Sequence, residues 1–428
     1  MADRHPTRSE IEALQWDRLR HLLARVVDSN PFYREKWKSA FSQPLSIEDF
    51  SLRFPFTTKA EAVADQAAHP PFGTNLTSPV SAYTRFHQTS GTTGNPLRWL
   101  DTPASWAALV DNWVRIYDAA GVAAGDRVYF AFSFGPFIGF WLAFDAAQKI
   151  GALCIPGGGL GSAGRLRAIL DTGVTILCCT PTYALRLAEV ARQEGVDLTR
   201  SNLRRIIVAG EPGGSVPAVR ERIESAWPGA RVFDHHGMTE VGPVSYECPV
   251  NPGRLHIIDS AYLAEVINPA TLLPAAPGES GELILTTLTR VDSPLIRYRT
   301  GDLVRLRSEA DPCCCGRSET ALEGGILGRA DDMLVVRGIN IFPAAIDALL
   351  SQFPEIAEFQ VKVLRRESMT ELEILVEPGE GIVGNPADLL RRVESLLHAS
   401  LHLRIPVSLA PDGSLPRFEM KARRWVFA

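Results

Sequence analysis

Short apolar runs recur through the middle of the chain: "RVYFAF" (127–132), "LCIP" (153–156), "TILCCT" (175–180), "RIIVAG" (205–210) and "RVFDHHG" (231–237). Rich in β-branched and aromatic residues and too short for buried helices, they read as strands. Between them, segments such as "AGRLRAILDTG" (163–173) and "TYALRLAEVARQEG" (182–195) space apolar residues by three and four, as an amphipathic helix does. Strand and helix in alternation predict a parallel sheet covered on both faces, with ligands in the loops leaving the carboxyl ends of the strands. From about 255 the pattern turns β-rich, with "LHIIDSAYLAEVIN", "GELILTTLT" and the turn signal "PAAPGESGE". A third pattern starts near 330: "FPAAIDALLSQFP" is helical, "FQVKVLRR" and "ELEILVEP" pair as strands, and "PADLLRRVESLLHASL" is an amphipathic helix. The predicted fold is α/β: a large N-terminal domain (1–330) of mixed and parallel sheets with helices and a β-rich subdomain, then a small mobile α+β domain (331–428).

A chain of 428 residues, 46% hydrophobic, can bury the core of two or more domains. Its net charge of −5 gives no electrostatic case for nucleic acid. The opening "MADRHPTRSEIEALQWDRLR" is too polar for a signal peptide, and glycine and proline interrupt the longest apolar stretch, "VYFAFSFGPFIGFWLAF" (128–144). Seven cysteines, an odd number, argue against a disulfide framework. A cytoplasmic protein bound neither to membrane nor to nucleic acid is expected.

"TSGTTGNP" (89–96) has no place inside a helix or strand. Its glycines free backbone N–H groups and its hydroxyls add donors, which suits a polyphosphate; an ordinary solvent turn is the competing reading. The loop recurs in company. "TSGTTGNP", "GEP" (210–212), "HHGMTEVGP" (235–243), "YRTGDL" (298–303) and "GRADDMLVVRGINIFP" (328–343) resemble, in order and spacing, the motifs of the adenylate-forming acyl-CoA synthetase superfamily. The ending "LPRFEMKARRW" (415–425) makes the chain most similar to the phenylacetate–coenzyme A ligase family.

That resemblance implies ATP-dependent activation of a carboxylic acid to an acyl-adenylate, then thioester formation with coenzyme A. Ser90, Gly91, Thr92, Thr93 and Gly94 would hold the β- and γ-phosphates, Thr239 the α-phosphate, and Glu240 a Mg²⁺ ion, which prefers oxygen ligands. Adenine would lie between His236–Gly237–Met238 and Gly210–Glu211–Pro212. Asp302 would accept hydrogen bonds from both ribose hydroxyls. Arg329 would contact ribose or phosphate, Asp331 would be the hinge, and Lys421 the catalytic cation; a generic basic tail formed with Arg417, Arg423 and Arg424 competes with that last role. The aromatic stretch "FSFGPFIGFW" (132–141) suggests an acyl slot of Phe132, Phe134, Phe137 and Ile138, opposed by Pro243 and Val244. The slot region has no lysine or arginine for a second carboxylate, so an aromatic monocarboxylic acid is expected.

Cys248, His256, Cys313 and Cys315 offer three sulfurs and an imidazole, the ligand set of a closed structural Zn²⁺ site; free thiols are the alternative. Cys154, Cys178 and Cys179 lie in apolar strands and read as core. Asn95 stands where many relatives carry a phosphate-loop lysine, and "GEPGGS" and "HHG" depart from the common pattern beside the adenine and acyl pockets. Transfer to a carrier-protein thiol or an amine, a catalytically silent binding module, and a homodimeric assembly all stay open.

Overall fold

A computed structural model describes residues 4–38, 42–89, 96–308, 312–337, 339–366, 369–379, 385–419 and 421–427. Among these, eight strands form the central sheet, in the spatial order Ala321–Glu323, Arg254–Ile257, Gly242–Glu247, Arg231–Met238, Arg205–Val208, Ile176–Cys179, Arg127–Phe130, Leu153–Pro156. The last five run parallel and the first three antiparallel to their neighbours.

Alternation along the parallel strands builds two cores. Val128, Phe130, Ile176, Cys178, Ile207 and Phe233 pack with helices Pro103–Ala119 and Ile138–Lys149 on one face. Tyr129, Leu177, Cys179, Ile206, Val208 and Val232 pack with helices Ser162–Asp171, Pro181–Gln193 and Pro217–Ala226 on the other. Each fully buried aliphatic or aromatic side chain contributes roughly 1.5–3 kcal/mol. Cys178 and Cys179 are core, as expected. Cys154 packs against the main core but is only partly buried, because its strand lies at the sheet edge beside an exposed Leu153.

A second, antiparallel sheet joins Tyr262–Ile267, Ser280–Thr287, Tyr298–Arg305 and Gly328–Arg329, with Asp302 directly opposite Arg329. The polar-looking start of the chain forms the helix Arg8–Ser29, opened by a Thr7–Glu10 capping box. Its Leu19, Leu22, Leu23 and Val26 close a separate core with Tyr33, Trp37, Phe50 and Ile296. The small C-terminal unit orders its sheet Val407–Leu409, Met369–Pro378, Ile356–Arg366, Trp425–Phe427, with the central pair antiparallel and both edges parallel. Helices Pro343–Leu350 and Pro386–Leu401 supply the apolar side chains that complete its core.

Candidate active site

The carboxyl ends of the parallel strands carry most of the residues singled out in the sequence. Strand Arg205–Val208 runs into Gly210, Glu211 and Pro212; strand Arg231–Met238 itself contains His236, Gly237 and Met238 and leads to Thr239 and Glu240. Asp302 and Arg329 reach the same region from the second sheet: His236 Nε2 lies 2.9 Å from Asp302 Oδ2, and Arg329 Nη1 donates to Asp302 Oδ1 at 2.9 Å. Arg329 also forks onto both carboxylate oxygens of Asp331, at 2.8 and 2.9 Å. These carboxylates hold the Arg329 guanidinium pKa above its usual value despite desolvation. Ser90, Gly91, Thr92, Thr93 and Gly94 lie outside the described residues. The flanks of their loop are pinned: the Thr89 N–H donates to Leu97 O at 2.9 Å, and the Leu97 N–H to Thr89 Oγ1 at 3.0 Å.

Backbone close packing shapes the rest. A Cβ at Gly237 would lie 2.8 Å from Gly242 O, so glycine lets the two strands meet at a register shift. In "GEPGGS", a side chain at Gly214 would overlap the buried Asp234, which accounts for the missing bulk. Gly210 has a φ of +94°, and a Cβ there would lie 3.3 Å from Lys421 Cε. The C-terminal unit thus delivers Lys421 onto the "GEP" loop. The Ala422 N–H donates to Glu211 Oε2 at 2.8 Å, while Glu211 Oε1 accepts from the Thr182 N–H at 2.8 Å. Ser162 Oγ donates to Glu419 Oε1 at 2.8 Å, and Arg417 bridges to Glu189 at 3.4 Å. Lys421 keeps solvent contact in the cleft, yet protein crowds it enough that desolvation lowers its pKa against the attraction of Glu211, Glu240 and Asp302.

Two groups that carried no signal in the sequence support the Thr239–Glu240 turn. Arg290, 1% exposed, donates to Thr239 O at 3.0 Å and Glu240 O at 2.8 Å. Asp101, fully buried, receives both remaining arms of that guanidinium at 2.7 Å. The Glu240 carboxylate is nearly buried; among the described residues, Lys59 Nζ faces it at 3.7 Å.

The aromatic stretch divides. Phe132 stacks on Phe140 with ring centroids 4.0 Å apart, and Phe137 meets Phe140 edge-on at 6.0 Å; all three are half-buried. Phe134, with a φ of +51°, turns toward Trp141 at 5.1 Å and Phe144 at 5.6 Å. Ile138 and Val244 are packed within the main core, and Pro243 is buried in its strand, so none of these three presents an open wall. His235, unremarked in the sequence, meets Trp113 at 4.4 Å; burial lowers its pKa to about 3, leaving the ring neutral.

Away from the cleft, past the end of strand Gly242–Glu247, the ligand atoms of Cys248, His256, Cys313 and Cys315 all lie within 4.8 Å of one another. Cys248 Sγ is 3.7 Å from Cys313 Sγ, and Cys315 Sγ is 3.4 Å from His256 Nε2. Arg254 Nη1 sits 3.1 Å from Cys313 Sγ. Among the described residues no helix is long and apolar enough to cross a membrane.

Comparison with known proteins places this architecture. The sequence profile of AMP-binding enzymes matches residues 57–288, and that of the AMP-binding enzyme C-terminal domain matches residues 338–427. The phenylacetate-coenzyme A ligase of Thermus thermophilus is 33% identical, covering 96% of this chain and 95% of that protein. The Escherichia coli enzyme of that name is 32% identical over 97% of this chain and 94% of its own length. The crystal structure of 2-hydroxyisobutyryl-CoA ligase in the postadenylation state, in complex with R3-HIB-AMP, superposes with a TM-score of 0.92 at 33% identity, covering 99% of this chain and 90% of that one. With 2-HIB-AMP and CoA in the thioesterification state it scores 0.73, at 34% identity and the same coverage. The chain's domain arrangement is therefore closer to the postadenylation state. Full-length likeness of sequence, fold and domain pairing makes this chain a member of the phenylacetate–coenzyme A ligase family of adenylate-forming enzymes, an AMP-forming acid–thiol ligase.

Proposed function

We propose that the acid is an aromatic monocarboxylate, aryl or arylacetic, activated with ATP and passed to coenzyme A. The observation that carries this reading is the half-buried trio Phe132, Phe137 and Phe140 in and just beyond the loop leaving strand Arg127–Phe130, with Phe134 and Trp141 packed behind. Offset and edge-on aromatic contacts favour a ring over an aliphatic chain of equal size. The loop carries no cation for a second carboxylate.

In this reading residues 1–330 bind nucleotide and acid, residues 331–428 form the lid, and Asp331 is the pivot. Asp302 accepts from the ribose hydroxyls in place of its present donors His236 and Arg329, and Arg329 turns to ribose or phosphate. Gly210–Glu211–Pro212 and His236–Gly237–Met238 flank adenine, Thr239 donates to the α-phosphate, and residues 90–94 cradle the β- and γ-phosphates. A carboxylate oxygen attacks the α-phosphorus; that P–O bond forms as the bond to pyrophosphate breaks. Lys421 offsets the charge that builds there. The thiol of coenzyme A, giving up its proton to solvent, then forms an S–C bond at the acyl carbon as AMP leaves with the C–O bond pair.

Glu240 suits Mg²⁺: its carboxylate is a hard oxygen donor, nearly buried beside the turn that carries Thr239. When bound, the ion screens the polyphosphate. Cys248, His256, Cys313 and Cys315 suit Zn²⁺. A tetrahedral ion with Zn–S bonds of about 2.3 Å sets its sulfurs about 3.8 Å apart, and the Cys248–Cys313 pair stands at 3.7 Å. Arg254 beside Cys313 favours the thiolate a metal needs. Purified protein is expected to hold about one zinc per chain, and Cys313→Ser to lose it and melt about 5 °C or more lower. Metal-free protein with an unaltered melting temperature and all four ligands free would remove zinc from the account.

Pyrophosphate release, measured with ATP, Mg²⁺ and a panel of acids with and without coenzyme A, tests the acid class. Aryl and arylacetic acids are expected to exceed short 2-hydroxy acids by about tenfold or more in kcat/KM. Preference for 2-hydroxyisobutyrate would assign the chain the aliphatic specificity named for its structural relative, and turnover indifferent to coenzyme A would point to another acceptor.

A further inference from the structure

We infer, on the adenylating role proposed above for Lys421, that Glu211 is the positioning residue for that lysine. One of its carboxylate oxygens is fixed to the large body and the other grips the backbone of the C-terminal unit beside Lys421, so that the side chain spans the seam during adenylation.

The anchor is the start of helix Pro181–Gln193. Its first residue is a proline with no N–H to give, its N-cap Thr180 accepts from the Tyr183 N–H at 3.2 Å, and the Thr180 carbonyl accepts from the Ala184 N–H at 3.0 Å. The Thr182 N–H is the donor of that turn left over, and Glu211 Oε1 takes it at 2.8 Å. A carboxylate suits the positive end of a helix, so charge holds Glu211 there as well as direction. Its other oxygen, Oε2, crosses to the C-terminal unit and accepts from the Ala422 N–H at 2.8 Å. That N–H belongs to the peptide bond that joins Lys421 to Ala422. Both partners are backbone groups, which cannot swing away as side chains do. The lysine stem runs past the same loop: Gly210, at a φ of +94°, presents no Cβ where one would stand 3.3 Å from Lys421 Cε. Burial lowers the Lys421 pKa, and of the carboxylates that oppose this Glu211 acts most strongly. The loop can therefore flank adenine with its backbone while the Glu211 side chain serves the lysine. When the C-terminal unit swings away, Glu211 gives up Ala422 alone and keeps Thr182, which leaves the large body unchanged for the thiol step.

Half-reaction kinetics of the full chain carrying Glu211→Gln test this. The amide keeps the shape but turns an N–H toward one of the two backbone donors, which removes a charged hydrogen bond worth about ten- to a hundredfold. ATP–pyrophosphate exchange is expected to lose that factor in kcat with the KM for ATP near the wild-type value, and thioester formation from supplied acyl-adenylate to keep its rate. Placed in a Lys421→Ala background, the same change should cost little more, because Glu211 acts through the lysine. Equal loss in both half-reactions would make Glu211 a helix cap only, and a raised KM with kcat unchanged would make it a nucleotide ligand. Either result, or a fully additive loss in the Lys421→Ala background, would overturn the assignment. Glu211→Asp keeps the charge at the helix end but falls a methylene short of the span, and gives the same reading should the glutamine variant fold poorly. A wild-type chain that forms no acyl-adenylate, or a Lys421→Ala variant that exchanges at the wild-type rate, would instead remove the role proposed for Lys421 itself.

Discussion

Replacing Lys421 with alanine is expected to slow acyl-adenylate formation by about a hundredfold or more while leaving thioester formation from supplied acyl-adenylate near the wild-type rate. The expectation follows from where the lysine is and what carries it. Its Cε lies 3.3 Å from the Cβ position of Gly210, and Glu211, Glu240 and Asp302 all attract its charge. Of the neighbouring arginines, Arg417 pairs with Glu189 and Glu377 and Arg424 with Glu358, while Arg423 is exposed. The loss therefore falls on one cation rather than on a basic tail. The two half-reactions separate because Lys421 belongs to the small C-terminal unit, docked through Glu211–Ala422 and Ser162–Glu419. ATP–pyrophosphate exchange reads the first half-reaction, and AMP release from synthetic acyl-adenylate with coenzyme A reads the second. Equal loss in both would place Lys421 in a shared structural role.

Asp101→Ala should be the most destabilising single change near the cleft. It strips both carboxylate oxygens from a guanidinium that is 1% exposed, and breaking such a buried pair costs about 3–5 kcal/mol because the partner charge is left without compensation. Chemical denaturation reads that cost. The pair's second role is to aim Arg290 at the carbonyls of Thr239 and Glu240. The double variant Asp101→Leu with Arg290→Met separates the two roles. An apolar pair of similar volume can recover much of the stability, but it cannot donate to the two carbonyls, so adenylation should stay impaired. Full recovery of both would make the pair a structural strut only.

What could be read beforehand followed from local pattern. The parallel strands announced themselves because residues such as Tyr129 and Phe130 are apolar on both faces, and the loops after them sit where such a sheet binds ligands. The C-terminal helix "PADLLRRVESLLHASL" was legible to the residue. Arg290 was not, because its partner Asp101 is 189 positions away and an arginine in "LTRVDSP" carries no periodic signal. Lys59 was hidden likewise: its contact with Glu240 crosses the fold. Ile138 and Val244 were drawn toward the acyl slot by their neighbours in sequence. Ile138 begins the helix Ile138–Lys149 and Val244 lies in a strand buried along its length, which directs both inward.

The C-terminal unit closes its own core: among the described residues its apolar cluster begins at Leu334 and takes no member from the larger body. The bonds across the seam, from Glu211, Ser162, Glu189 and Arg222, are polar. Water could replace each of them were the two bodies to part. Were the C-terminal unit to swing as proposed, its undocking would open neither apolar cluster and so would carry a small heat-capacity change between the two half-reactions.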